Sequence, residues 1–135
     1  MIFWKKEFET GSEKLDQQHR VLIDNINLLE DLLHTTNPTP KEAKFIIKLV
    51  DYLEGYANFH FQGEEQCMES YQCPAHAENQ QGHERFRGII RDYKRLCEHQ
   101  GFQVELLRNL HQVMSSWITE HILKIDTKLK PCIKK

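Results

Sequence analysis

Histidine and carboxylate side chains that suit transition metals recur in this chain at positions where a folded protein would ordinarily place apolar groups. His19, His60, His83 and His121 are far apart in sequence, yet each falls on or beside an apolar stripe of helical period. A polar group on such a stripe costs at least a few kcal/mol unless something compensates it. One histidine so placed is ordinarily a hydrogen-bonded core residue; four, on four separate segments, point to a shared purpose. Glu64 follows His60 by four residues, which on a helix is one turn along the same face. Asp126 follows His121 by five. A buried carboxylate needs a cation or a set of donors. Imidazole and carboxylate together suit iron, with zinc or manganese as alternatives, whereas a thiolate-rich set would have indicated zinc or an iron–sulfur cluster.

The elements that must hold these residues are marked out by Gly and Pro, which fall where apolar periodicity stops: Gly11, Pro38, Pro40, Pro74, Gly101 and Pro131. Between them run four long segments. Leu15, His19, Leu22, Ile26, Leu29 and Leu33 recur at spacings of three and four, which predicts a first helix. Thr39, Pro40 and Glu42 form a capping-box pattern ahead of a second, whose apolar face is read through Phe45, Leu49, Leu53 and Tyr56. His76, Asn79, His83, Phe86, Ile90, Tyr93 and Cys97 define a third, with Gly101 as its stop. Leu107, Leu110, Met114, Trp117, His121 and Ile125 define a fourth. No segment alternates like a strand. Four helices with one apolar stripe each predict an all-α fold, an up-down-up-down four-helix bundle over residues 13–132. Trp4 and Phe8 mark residues 1–12 as an N-terminal arm that docks on it.

At 135 residues the chain is expected to form a single domain, residues 1–135. Its formal net charge is −2 and no basic run stands out, so nucleic acid is not an expected partner. The start lacks the apolar run of a signal peptide, and no stretch approaches the roughly 20 apolar residues that span a bilayer. No membrane partner and a cytoplasmic location are expected. Cys67, Cys73, Cys97 and Cys132 lack CxxC pairing and read as structural thiols.

The same residues carry a family likeness. Trp4, Phe8, Thr10-Gly11, Leu15-Asp16-Gln17-Gln18-His19 and Asn25-Ile26-Asn27 resemble the opening of bacterial hemerythrins. Asn58-Phe59-His60-Phe61-Gln62-Gly63-Glu64-Glu65-Gln66-Cys67-Met68 resembles that family's HF-x-x-EE-x-x-M block. His83-Glu84-Arg85-Phe86 resembles its H-x-x-F segment, and Trp117 to Asp126 its W-x-x-x-HI-x-x-x-D closing motif. The likeness covers nearly the whole chain, in order.

The resemblance implies two iron ions in a non-haem di-iron centre, oxo- or hydroxo-bridged. It places His19 and His60 on one iron and His83 and His121 on the other, with Glu64 and Asp126 bridging. One position departs from the family: where a further histidine is usual, four residues before His83, this chain has Asn79. His76 is no simple substitute, since seven residues place it about 10 Å from His83 along a straight helix. An Asn carbonyl is a weak ligand for a transition metal, or it hydrogen-bonds a water. Asn79 is therefore a vacated ligand position, and the second iron gains an exchangeable site. His34 and His99 near helix ends, and His111 at the edge of the fourth stripe, are not expected to bind metal.

The expected function is reversible binding or sensing of oxygen or a similar small ligand, with a signalling partner domain or protein compatible with the sensing role. Two carboxylates among histidines fit binding better than O–O cleavage, for which more anionic oxygen ligands would be needed. The alternative is a di-iron redox enzyme, a peroxidase, an oxidase or a nitric-oxide-handling protein, using the open position. Ferritin-like enzymes use Glu-x-x-His pairs, and His60-x-x-x-Glu64 has a different spacing. A third reading gives the site zinc or no metal and makes the bundle a regulatory module of a larger protein.

Overall fold

Ser12 and Thr39 start the first two of four long helices by chemistry legible in their side chains. Ser12 Oγ accepts from the Leu15 amide at 3.3 Å. Thr39 Oγ1 accepts from the Glu42 amide at 3.1 Å while Glu42 Oε1 accepts from the Thr39 amide at 3.0 Å, a complete capping box with Pro40 at the first helical position. In this computed structural model, which describes residues 1–34 and 37–133, the helices are α1 (Glu13–Leu32), α2 (Pro40–Ser70), α3 (His76–Gln100) and α4 (Val104–Lys124). Residues 134 and 135, the end of the expected domain, lie outside the described residues. Gly101 ends α3 with φ 76°, a conformation that costs glycine little. A 3-10 turn at Asp126–Lys128 and a short helix α5 (Leu129–Ile133) follow α4.

Each long helix packs against two others, α1 on α2 and α4, and α3 on α2 and α4. With short connections this is the up-down-up-down four-helix bundle. Among the described residues there is no strand, and no helix is long and apolar enough to cross a membrane.

The core is in two pieces. The larger includes Leu22 and Ile26 of α1, Leu53 and Phe61 of α2, Phe86 and Ile90 of α3, and Met114 and Ile118 of α4. The smaller gathers Leu15, Met68, Cys73, Ala75, Leu129 and Cys132 at one end. On α1, α2 and α3 polar candidates fall between the two: His19 between Leu15 and Leu22, Glu64 between Phe61 and Met68, Asn79 between Ala75 and Phe86. Apolar packing therefore flanks the site on both ends. No disulfide joins the four cysteines.

Two readings of the helices need correction. Phe45 is 52% exposed, and the buried face of α2 runs through Ile46, Leu49, Val50, Leu53 and Ala57. That series is in helical register with His60 and Glu64; Phe45 is one residue, about 100°, out of phase. Nor does α4 reach Ile125, the last residue of the fourth stripe: it ends at Lys124, Ile125 leaves helical geometry with φ −119°, and Asp126 opens the 3-10 turn.

Residues 1–12 lie along the bundle. Asn27 of α1 grips Ile2, with Oδ1 accepting from its amide at 2.9 Å and Nδ2 donating to its carbonyl at 2.7 Å. Phe8, in a 3-10 turn at Lys6–Phe8, is buried and meets Trp4 edge-on at 5.4 Å, with the Arg20 guanidinium 4.4 Å over the Trp4 ring. Asp16 Oδ1 accepts from both the amide and the hydroxyl of Thr10, at 3.0 and 2.8 Å.

Candidate metal centre

His19 comes from α1, His60 and Glu64 from α2, Asn79 and His83 from α3, His121 from α4, and Asp126 from the turn that follows. On a continued helix, five residues would carry Asp126 about 140° around the axis from His121. The break at Ile125 is what returns its carboxylate to the site.

The two carboxylates divide their oxygens. Glu64 Oε2 lies 3.3 Å from His19 Nε2 and 3.2 Å from His60 Nε2, and Asp126 Oδ2 lies 3.1 Å from His19 Nε2. On the other side, Glu64 Oε1 lies 3.1 Å from His83 Nε2, and Asp126 Oδ1 lies 3.0 Å from His121 Nε2. The result is two overlapping clusters, His19–His60–Glu64–Asp126 and Glu64–His83–His121–Asp126, each with ligand atoms within 4.8 Å of one another. All six side chains are buried.

These donors fit a cation. His60 Nε2 and Glu64 Oε2 are 3.2 Å apart, yet neither makes a hydrogen bond of proper geometry. Two buried polar atoms left this way cost about 1–3 kcal/mol each, a cost that a metal ion between them removes. Nitrogen and carboxylate oxygen donors suit iron, zinc or manganese.

The outward ring nitrogens are fixed. His60 Nδ1 meets Gln18 Oε1 at 2.7 Å and His83 Nδ1 meets Glu65 Oε2 at 2.6 Å. In each the ring N–H donates, which leaves Nε2 free to face the site and strengthens it as a ligand. Nδ1 of His19 has no partner among the described residues. Gln18 and Glu65 escape a reading based on stripes because each stands beside a ligand-type residue, one step out of register with it. Ring faces are held too. Phe61 stacks on His83 at 3.9 Å and Trp117 on His121 at 4.5 Å.

Charge follows from the same contacts. Burial opposes a charge on His19, but hydrogen bonds to Asp126 and Glu64, together with their negative charge, outweigh it and push the imidazole up to about 10. Burial likewise opposes the Glu64 carboxylate, yet the neighbouring His60 and the contacts of His19 and His83 hold it well below the usual carboxylate range.

Asn79 is wholly buried at the junction of the two carboxylates. Its Nδ2 donates to Glu64 Oε1 and to Asp126 Oδ1, both at 2.9 Å, and lies 3.4 Å from His121 Nε2, while Oδ1 has no partner. The amide thus meets the carboxylate oxygens that face His83 and His121. His76, half-buried in the first turn of α3, belongs to neither cluster, and the same holds for His34, His99 and His111. A surface cleft of about 340 Å³, lined by Arg85, Trp117, Glu120, His121, Lys124 and Ile125, reaches the edge of the site.

A bundle that folds histidines from four helices around two carboxylates is a metal-binding protein of the histidine–carboxylate class. Its sequence places it more narrowly: residues 10–133 match the hemerythrin HHE cation binding domain, and the chain belongs to the hemerythrin family. It is 30% identical over 126 residues to a bacteriohemerythrin of Clostridium acetobutylicum, covering 93% of this chain and 96% of that one. With a bacteriohemerythrin of Methylococcus capsulatus it shares 28% identity over 133 residues, covering 98% and 96%. A crystal structure of wild-type hemerythrin superposes with a TM-score of 0.85 at 26% identity, covering 100% of this chain and 99% of that one.

Proposed function

We propose that this chain is a non-haem di-iron protein that binds oxygen, or a similar small ligand, reversibly, with His19 and His60 holding one iron, His83 and His121 the other, and Glu64 and Asp126 bridging. The observation that carries the reading is the division of each carboxylate, one oxygen toward each pair of histidines. A single-metal site has no use for that symmetry. Iron supplies electrons and a Lewis acid to a bound ligand. The protein's part is to hold the site between its two apolar clusters, to orient His60 and His83 through Gln18 and Glu65, and to limit the anionic donors to two. Few anionic donors favour reversible binding over O–O cleavage. Residues 1–135 act as one such domain, in the cytoplasm, and a sensing role would add a signalling partner.

One observation favours a redox enzyme as the second reading. Asn79 offers N–H to the carboxylates and no imidazole, so a metal held there would have two histidines only, and the missing ligand would leave room for a substrate such as peroxide or nitric oxide. Anaerobic addition of oxygen to the iron(II) protein separates the readings. A spectrum that reverts on degassing supports carriage. Irreversible oxidation with turnover of peroxide or nitric oxide supports the enzyme, and a purified protein that holds zinc or no metal overturns both.

A further inference from the structure

Gly82 is buried in α3, one residue before His83 and three after Asn79. Glycine is among the poorest helix formers in a helix interior, so its presence there asks for a reason. The reason is space and not backbone conformation, since Gly11 and Gly101 are the glycines with positive φ. A Cβ at position 82 would stand 2.3 Å from His121 Cε1, 2.5 Å from Nδ1 and 3.6 Å from Nε2. Side-chain carbons essentially never approach below 3.0 Å, so the edge of the His121 ring fills the volume a side chain at 82 would need. By contrast, a Cβ at Gly88 on the same helix, or at Gly55 or Gly63 on α2, would meet nothing within 4 Å.

The ring has little freedom to give way. Trp117 covers one of its faces at 4.5 Å with the planes 16° apart, and Nε2 is held 3.0 Å from Asp126 Oδ1. A methyl group at 82 must push the edge outward by about an ångström to reach ordinary contact, and rotation of the ring carries Nε2 off the line to Asp126.

We infer that Gly82 is the seat of His121, a positioning residue that lets the ring lie against the α3 backbone and so sets the fourth imidazole of the cluster. Taken with the two-metal reading proposed above, on which this step rests, any side chain at 82 weakens the His83–His121 half selectively. His19 and His60 stand on α1 and α2, and the three atoms nearest to a carbon at 82 all belong to His121.

The test compares Gly82→Ala with Gly88→Ala in the full chain, using cobalt(II) as the metal probe and, in metal-free protein, the His121 Cε1–H proton resonance, which the Trp117 ring current shifts. Gly82→Ala should keep the first equivalent of cobalt(II) and bind the second at least tenfold more weakly, and it should move the resonance. Gly88→Ala should do neither. An unmoved resonance in Gly82→Ala overturns the seat whatever the metal content. A second equivalent bound by Gly82→Ala as tightly as by the parent protein does the same. A parent protein that binds fewer than two equivalents counts against the two-metal reading, and the resonance still decides Gly82. Should Gly82→Ala fail to fold, adding His121→Ala must restore the fold by emptying the contested space; if it does not, the inference is wrong.

Discussion

Asn79 and Glu64 are joined across α3 and α2 by a hydrogen bond of 2.9 Å from Nδ2 to Oε1, and the same nitrogen reaches Asp126 Oδ1 at the same length. Both acceptors belong to the cluster proposed to bridge two metals, and both oxygens are the ones turned toward His83 and His121. On the two-metal reading proposed above, the amide would stand in place of a further ligand to the second metal, and it is engaged with both carboxylates.

Replacing it should separate these roles. In Asn79→His an imidazole lies one turn before His83 on the same face, where both rings can reach one metal. Azide should bind the oxidised iron protein more weakly than it binds the parent, and the iron(II) form should autoxidise more slowly, because a fuller shell leaves fewer routes for solvent or anions. Optical titration with azide and the rate of oxidation in air read the two effects. Unchanged values at full metal content would remove Asn79 from control of the open position.

Glu64 is the carboxylate that touches most of the cluster. Glu64→Ala should lose metal and stability together, since it leaves His19, His60 and His83 facing one another without their shared anion. Removing one partner of a buried pair costs about 3–5 kcal/mol, enough to lower the denaturation midpoint clearly. Cys132→Ser is the control. It lies in the small apolar cluster and should cost stability by about 1 kcal/mol with metal content intact. Loss of metal from both variants alike would mean that the site lies elsewhere.

Glu65 is expected to act at one remove. Its Oε2 accepts from His83 Nδ1, so Glu65→Gln weakens the hold on that ring without touching the metal position itself. Loss of such an outer partner typically lowers metal affinity by about 10- to 100-fold. Competition with a chelator should show the drop in the second equivalent only. A uniform drop in both would show that Glu65 supports the fold in general.

The contrast between Glu64 and Glu65 also shows how far the sequence could be read. Glu64 announces itself by its spacing from His60, and the four histidines by their place on apolar stripes, because burial and helical period are local properties of a sequence. The helices and their caps are legible for the same reason: Thr39, Pro40 and Glu42 need only one another. Phe45 misleads because a bulky apolar residue one step off the stripe looks like part of it until the phase of His60 is taken into account. Gln18, Glu65 and Gly82 stay hidden for a different reason. Each acts on a ring from another helix, or in answer to one, and no periodicity within a single helix encodes a contact between two. The donation from Asn79 to both carboxylates is of this kind too, since it depends on the break at Ile125 that brings Asp126 back.

Metal and proton compete for the same nitrogen of His19. In the metal-free protein His19 is pushed from 6.5 up to about 10 by Asp126 and Glu64, against the effect of burial. A raised value means that protonation of His19 supports the metal-free fold fully below pH about 6.5, and that this support is lost as pH rises toward about 10. A metal ion needs the same Nε2 without its proton. Between those limits each ion entering at His19 must release one proton, so apparent affinity should rise about tenfold per pH unit from this group and level off near pH 10. Cobalt(II) or zinc(II) titrations across that range, with proton release followed in weak buffer, measure both quantities. His19→Gln should bind more weakly and with a shallower dependence on pH. Affinity that stays flat between about pH 7 and 9 in the parent protein would show that His19 carries no proton for the metal to displace.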